Sequence, residues 1–146
     1  MRYAIGSDPN ATNLKKIFIE DLKVLGHEVV DFGSDDAVYA NVAIQVAEAV
    51  ASNAYDRGIL VCGTGIGMSI AANKVKGAVA ALITDVYSAE RAILSNNANI
   101  ICMGEFTIGS SLARTLLKVC TTLSFDQSSP SAVKVQRYKE YDRNRV

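Results

Sequence analysis

The sequence predicts an α/β domain built on a five-stranded parallel sheet covered by helices on both faces. Two observations carry this expectation. Five short apolar runs alternate with longer amphipathic segments along the whole chain, and the third run is wholly apolar after its first residue. Strands alternating with helices imply parallel pairing through crossover helices of the usual right hand. An unbroken apolar run suits a strand buried on both faces.

Residues 2–6 read as the first strand. A helix follows over 13–25, where Leu14, Ile17, Phe18, Leu22 and Leu25 fall near helical spacing, Asp21 breaks the apolar set and Gly26 ends the helix. The second strand, 28–32, is closed by the turn-rich Gly33-Ser34-Asp35-Asp36. A helix over 41–52 leads to the third strand, 58–62, and a glycine-rich turn then opens a helix over 68–75. A fourth strand (78–83), a helix (87–95), a fifth strand (99–103) and a long helix (110–122) complete the alternation. The tail differs: 125–130 is polar and broken by Pro130, and 131–143 reads as a helix carrying Lys134, Arg137, Lys139 and Arg143. No repeat or low-complexity linker divides residues 1–146, so one domain is expected. Its tail, 123–146, is suited either to solvent or to packing on a partner subunit.

The 146 residues are 49% hydrophobic and 21% charged, with formal net charge zero. No concentrated basic face is visible, which argues against nucleic acid as a partner. No apolar stretch approaches the ~18 residues of a membrane span, and the chain begins as a strand rather than a basic leader. A cytoplasmic protein is expected, with no membrane attachment. Cys62, Cys102 and Cys120 are widely spaced and form no C-x-x-C pair, and His27 is the single histidine. Neither a disulfide framework nor a metal site is expected.

Open α/β sheets bind ligands beyond the carboxyl ends of their strands. Three segments read as such ends: Ser7-Asp8, Cys62 to Ser69, and Ser95-Asn96-Asn97 ahead of the fifth strand. The second is the most informative. Gly63, Gly65 and Gly67 let backbone N–H groups approach a ligand where a helix begins, a place that favours negative charge and stabilises a thiolate. Cys62 can then act as a base, with the Thr64 hydroxyl relaying a proton, beside donors for an enediolate. On residues alone a second reading stands, in which the turn is structural and the cysteine a small buried apolar residue. A dinucleotide fingerprint fits poorly, because its third glycine falls on Met68, although Asp85 lies roughly where a ribose-binding acid is expected. No Gly-Lys-Ser/Thr follows, so the turn is not a P-loop. His27 begins the second strand, away from the crevice, which argues against Ser-His-Asp chemistry.

The run Cys62-Gly63-Thr64-Gly65-Ile66-Gly67-Met68-Ser69-Ile70-Ala71-Ala72-Asn73-Lys74 resembles the signature of the type B ribose-5-phosphate isomerase / galactose-6-phosphate isomerase family. The likeness extends from Ser7-Asp8 to Gly104. It implies a Rossmann-like α/β/α sandwich that forms homodimers or homotetramers with active sites shared between subunits, and needs no metal or organic cofactor. It also implies roles: Cys62 as the base moving a proton between C1 and C2, Thr64 as its hydroxyl partner, and Gly63, Gly65, Ile66 and Gly67 as the enediolate loop. Ser69 is placed with that loop, Asp8 matches a substrate-binding aspartate, and Asn96 matches an asparagine supplied by the neighbouring subunit.

The departures bear on the substrate. Pro9 stands where ribose-phosphate isomerases carry a histidine, and Ser95 where they carry the histidine that helps open the sugar ring. Phosphate-gripping arginines align near Phe106, Ser129 and Val133, so Ser128, Ser129, Ser131, Lys134 and Arg137 become the candidate phosphate ligands. A tetrose 4-phosphate cannot close to a furanose because O4 is esterified, so it needs no ring opening. Segments 87–98 and 125–129 resemble the branch acting on erythrose or erythrulose 4-phosphate. The expectation is an aldose–ketose isomerase of a small sugar phosphate working through a cis-enediolate. Alternatives are a ribose or hexose phosphate isomerase with a rearranged site, and a non-catalytic sugar-phosphate-binding subunit.

Overall fold

Period-two alternation along the inner strands decides which helices cover which face of the sheet. The computed structural model describes residues 1–146. Its strands are β1 (Arg2–Ser7), β2 (Glu28–Asp31), β3 (Arg57–Cys62), β4 (Ala80–Leu82) and β5 (Ile100–Gly104), all parallel, in the order β2-β1-β3-β5-β4. The helices are α1 (Thr12–Val24), α2 (Tyr39–Ala51), α3 (Ile66–Ala72), α4 (Val86–Leu94), α5 (Ser110–Thr122) and α6 (Ala132–Arg143). Tyr3, Ile5, Ile59, Val61, Ile101 and Met103 pack with α1, α4 and α5 on one face. Ala4, Leu60, Cys62, Ile100 and Cys102 pack with α2 and α3 on the other. This is the sandwich expected from the alternation of elements.

Most elements are shifted by a residue or two at their ends from the sequence reading, and two of the shifts have a visible cause. The helix expected over 68–75 runs over Ile66–Ala72, because Gly65, at φ +77°, turns the chain straight into it. The strand expected over 78–83 is Ala80–Leu82, since the Val79 amide is taken by the Asn99 side chain instead of a neighbouring strand. No helix is long and apolar enough to cross a membrane.

The order of strands fixes where a ligand crevice opens. From β1 the chain moves outward to β2 and then returns to β3 on the other side of β1. That reversal, between β1 and β3, is the place where open α/β sheets bind ligands. Ser7 pairs with Val61 in register, so Asp8 follows opposite Cys62 across the gap.

Candidate active site

Cys62 is the last residue of β3 and is 5% exposed, its side chain on the α2/α3 face. The Gly65 N–H donates to its Sγ at 3.1 Å. The other two thiols lie in the sheet and α5 interior: burial, and secondarily the neighbouring Cys62, pushes Cys102 far up, while burial pushes Cys120 up to about 12 against the opposing pull of Arg57. Only Cys62 combines a strand end, a glycine loop and a backbone donor to its sulfur.

The loop divides its amides between internal work and a free set. Gly65 N–H is committed to Cys62, and Ile66 N–H donates to Thr64 Oγ1 at 3.2 Å. The amides of Gly63, Thr64, Gly67 and Met68 have no acceptor within the chain. Of the residues expected to form the enediolate loop, Gly65 and Ile66 use their amides to hold the loop in shape, and Met68, overlooked in the sequence, adds a free donor. Free N–H groups gathered at a helix start form an anion-binding concavity. The Ser69 hydroxyl donates to the Ile66 carbonyl at 2.9 Å, fastening the first turn of α3. Asp8 is 7% exposed and ties β1 to β3 through its N–H to the Val61 carbonyl; its carboxylate accepts from the Asn10 amide at 3.0 Å.

Two aromatic rings assigned no role of their own from the sequence flank this loop. A Cβ added to Gly67 would stand 2.5 Å from the Tyr39 ring, and one added to Gly63 would stand 2.9 Å from the Phe106 ring. The glycines at these positions make room for those rings. Tyr39 begins α2, far away in sequence, so only the fold brings it here; Phe106 was visible solely as a missing arginine.

A family model described as Ribose/Galactose Isomerase matches residues 3–138. This chain belongs to that family. A "D-erythrulose-4-phosphate isomerase 2" from Mycolicibacterium smegmatis is 45% identical over 97% of both chains. A "Ribose-5-P isomerase B" from Listeria innocua is 47% identical over 97% of both. Among solved structures, ribose-5-phosphate isomerase B of Clostridium thermocellum superposes with TM-score 0.91 at 40% identity, covering 98% of each chain.

The remaining candidate residues of this ribose/galactose isomerase family member lie elsewhere. Asn96 precedes β5, so the segment 95–97 stands at the amino edge of the sheet, not at a carboxyl end as the sequence suggested. There it lines a cavity of about 730 Å³ together with Asn73, Asn99 and Tyr138, and the Tyr138 hydroxyl donates to the Asn96 carbonyl at 2.7 Å. The tail occupies the same edge. Arg57, at the start of β3, donates to the Cys120 and Leu123 carbonyls, and Asp142 on α6 accepts from the Gly77 amide. The span of β3, about 17 Å at the usual rise per residue, thus separates Cys62 from the tail of its own chain. Ser128 donates to Asp126 at 2.7 Å, the Ser129 Oγ is buried without a partner, Ser131 is half-buried, and Lys134 and Arg137 are exposed and unpaired. One chain therefore does not bring these five residues, or Asn96, to Cys62.

Charge completes the picture. The loops at the carboxyl edge carry Asp8, Asp35, Asp36, Asp85 and Glu105 and no lysine or arginine. The nearest cation in sequence, Lys15, is 4% exposed and paired with Asp31 at 2.9 Å.

Proposed function

We propose that this enzyme, an aldose–ketose isomerase of sugar phosphates, interconverts erythrose 4-phosphate and erythrulose 4-phosphate through a cis-enediolate, with Cys62 as the base. The sulfur takes the proton from the carbon beside the carbonyl. The C–H electron pair becomes the C1–C2 double bond, and the carbonyl oxygen becomes the enediolate oxygen. The free amides of Gly63, Thr64, Gly67 and Met68 meet that charge as it develops, where such donors act most strongly. The thiol then returns the proton to the neighbouring carbon, while Thr64 Oγ1 relays hydrogen between the two oxygens. Asp8 binds a substrate hydroxyl from the opposite side of the crevice.

One observation carries the choice of a four-carbon substrate: the chain has no imidazole available to open a sugar ring. His27 packs at a tilt against the Tyr3 ring beside the amino end of β2, while Ser95 follows α4 beside the β4 edge, at the other side of the sheet. An open-chain tetrose phosphate needs no such help, and the Mycolicibacterium relative bears the name of that substrate.

The active site is shared between copies of the chain, in a homodimer or homotetramer. Asn96 and the candidate phosphate ligands Ser128, Ser129, Ser131, Lys134 and Arg137 reach Cys62 only from a neighbour. The acidic carboxyl rim supplies no counter-charge for a phosphate, and exposed Ile66, Ile70, Leu82, Val86 and Phe106 form an apolar surface of the kind that marks an interface. Three unpaired thiols fit a reducing, cytoplasmic setting.

The test is a comparison of kcat/KM for erythrulose 4-phosphate, ribose 5-phosphate and galactose 6-phosphate. The four-carbon substrate should be turned over best, and Cys62→Ala should lose about 10²–10⁴-fold in rate with unchanged circular dichroism. Preference for ribose 5-phosphate would overturn the substrate, and full activity in Cys62→Ala the mechanism.

A further inference from the structure

Arg91 is the guanidinium in this chain with an internal vacancy. It lies on α4, half-buried, and its Nη1 donates to the Ser95 hydroxyl at 3.1 Å. Its Cζ sits 5.8 Å from the centroid of the Tyr87 ring. Its Nε is shielded from solvent and has no acceptor, and no carboxylate lies within salt-bridge distance. A half-buried guanidinium without a counter-ion carries a desolvation cost, and the orphaned Nε–H adds to it. A bound anion removes both costs. The other arginines either have partners, as Arg2, Arg57, Arg114 and Arg145 do, or stand exposed on α6 with no contact to orient them, as Arg137 and Arg143 do. Ser95 and Tyr87, one turn to each side of Arg91 on the same helix face, hold its planar fork in place, the geometry suited to two oxygens of a phosphate.

Its location says whose substrate it serves. Ala89, Ala92 and Ile93 seat α4 on the face shared with α1 and α5, whereas the Cys62 side chain lies on the α2/α3 face. The sheet stands between Arg91 and the sulfur of the same chain. Arg91 is, however, directly linked to the segment matched to the partner-supplied asparagine: its carbonyl accepts from the Asn96 amide at 3.1 Å and from Asn96 Nδ2 at 2.9 Å.

We infer that Arg91, oriented by the Ser95 hydroxyl, binds the phosphate of the sugar phosphate held at Cys62 of a second copy of this chain. The inference rests on the isomerase reading above and adds an oriented cation to Lys134 and Arg137, which that reading already assigns to a neighbour. Ser95 then has a second meaning: besides lacking an imidazole, it aims the guanidinium.

Complementation between two differently impaired subunits tests this. Arg91→Met should raise KM and the inhibition constant of inorganic phosphate about 10- to 100-fold, the worth of a charge-assisted pair, with kcat changed much less. Arg91→Lys, which keeps the charge without the fork, should fall between. Hybrid pairs of Cys62→Ala and Arg91→Met chains, purified through two different tags, should regain about half of wild-type activity at low substrate, because one of two sites is rebuilt. Hybrids no more active than the two parents would overturn the placement in trans. A phosphate inhibition constant unchanged in both Arg91 variants would overturn the role. If Arg91→Met does not fold, Arg91→Lys and the hybrids of Cys62→Ala with Arg91→Lys decide instead. If the wild-type protein isomerises no sugar phosphate, the functional reading fails on its own; calorimetric binding of inorganic phosphate to wild type and Arg91→Lys still decides the arginine.

Discussion

Replacing Gly65 by alanine tests the loop where backbone geometry and chemistry meet. Gly65 sits at φ +77°, a conformation that costs an L-residue roughly 1–2 kcal/mol. The new Cβ would lie 2.7 Å from Leu82 Cδ1, which can rotate away, but also 2.9 Å and 3.1 Å from the Met103 backbone, which cannot. Relieving that contact moves the strand or the loop, a further cost of about 1–3 kcal/mol. Together these give roughly 2–5 kcal/mol, and for a chain of this size a fall in melting midpoint of about 10 °C. The same shift displaces the amide that donates to Cys62 Sγ, so kcat should fall by about 10²-fold, as when one donor is removed from an anion hole. Scanning calorimetry and steady-state kinetics on erythrulose 4-phosphate measure both. A midpoint within about 2 °C of wild type together with unchanged kcat would refute the account of the loop.

Other perturbations have equally definite outcomes. Asp85 begins α4 by accepting from the Ser88 hydroxyl and amide, and the hydroxyl contact, then the amide, holds its carboxyl below the ordinary 3.8. A depressed folded value contributes stability above the unfolded value that is lost as pH falls through the folded one. Asp85→Ala should therefore melt earlier than wild type at neutral pH, with the gap closing in acid; a pH-independent gap would count against this. Asp31→Ala strands the buried Lys15 ammonium and should cost about 2 kcal/mol in urea unfolding, less than for a fully buried pair because Asp31 faces water in part. With burial holding Cys102 and Cys120 in the thiol form, iodoacetamide at pH 8 should modify neither until denaturant is added, as mass spectrometry would report.

The architecture was legible because each element announces itself locally. Leu14, Phe18 and Leu22 repeat on one helix face, and residues 59–62 leave nothing polar to expose. The Cys62 loop was legible for the same reason, since its glycines and its helix are contiguous in sequence. The amide accounting was not: which N–H groups stay free depends on Thr64 Oγ1 and Cys62 Sγ folding back onto Ile66 and Gly65. Tyr39 and Phe106 reach the loop through tertiary packing alone. Reading 95–97 as a ligand-facing strand end failed because a segment before a strand lies at its amino end, whatever its chemistry. Arg91 was hidden within an ordinary amphipathic helix; only its unfilled Nε distinguishes it from a solvated surface charge.

The acidic rim around Cys62 has a consequence for behaviour at low concentration. A solitary chain offers the substrate's phosphate no side-chain cation from these loops, whose charged side chains are all carboxylates. On the shared site proposed above, dilution past the point where copies separate should lower output per chain, and the initial rate should follow a steeper than linear law in enzyme concentration. Added salt would not restore what a missing neighbour supplies.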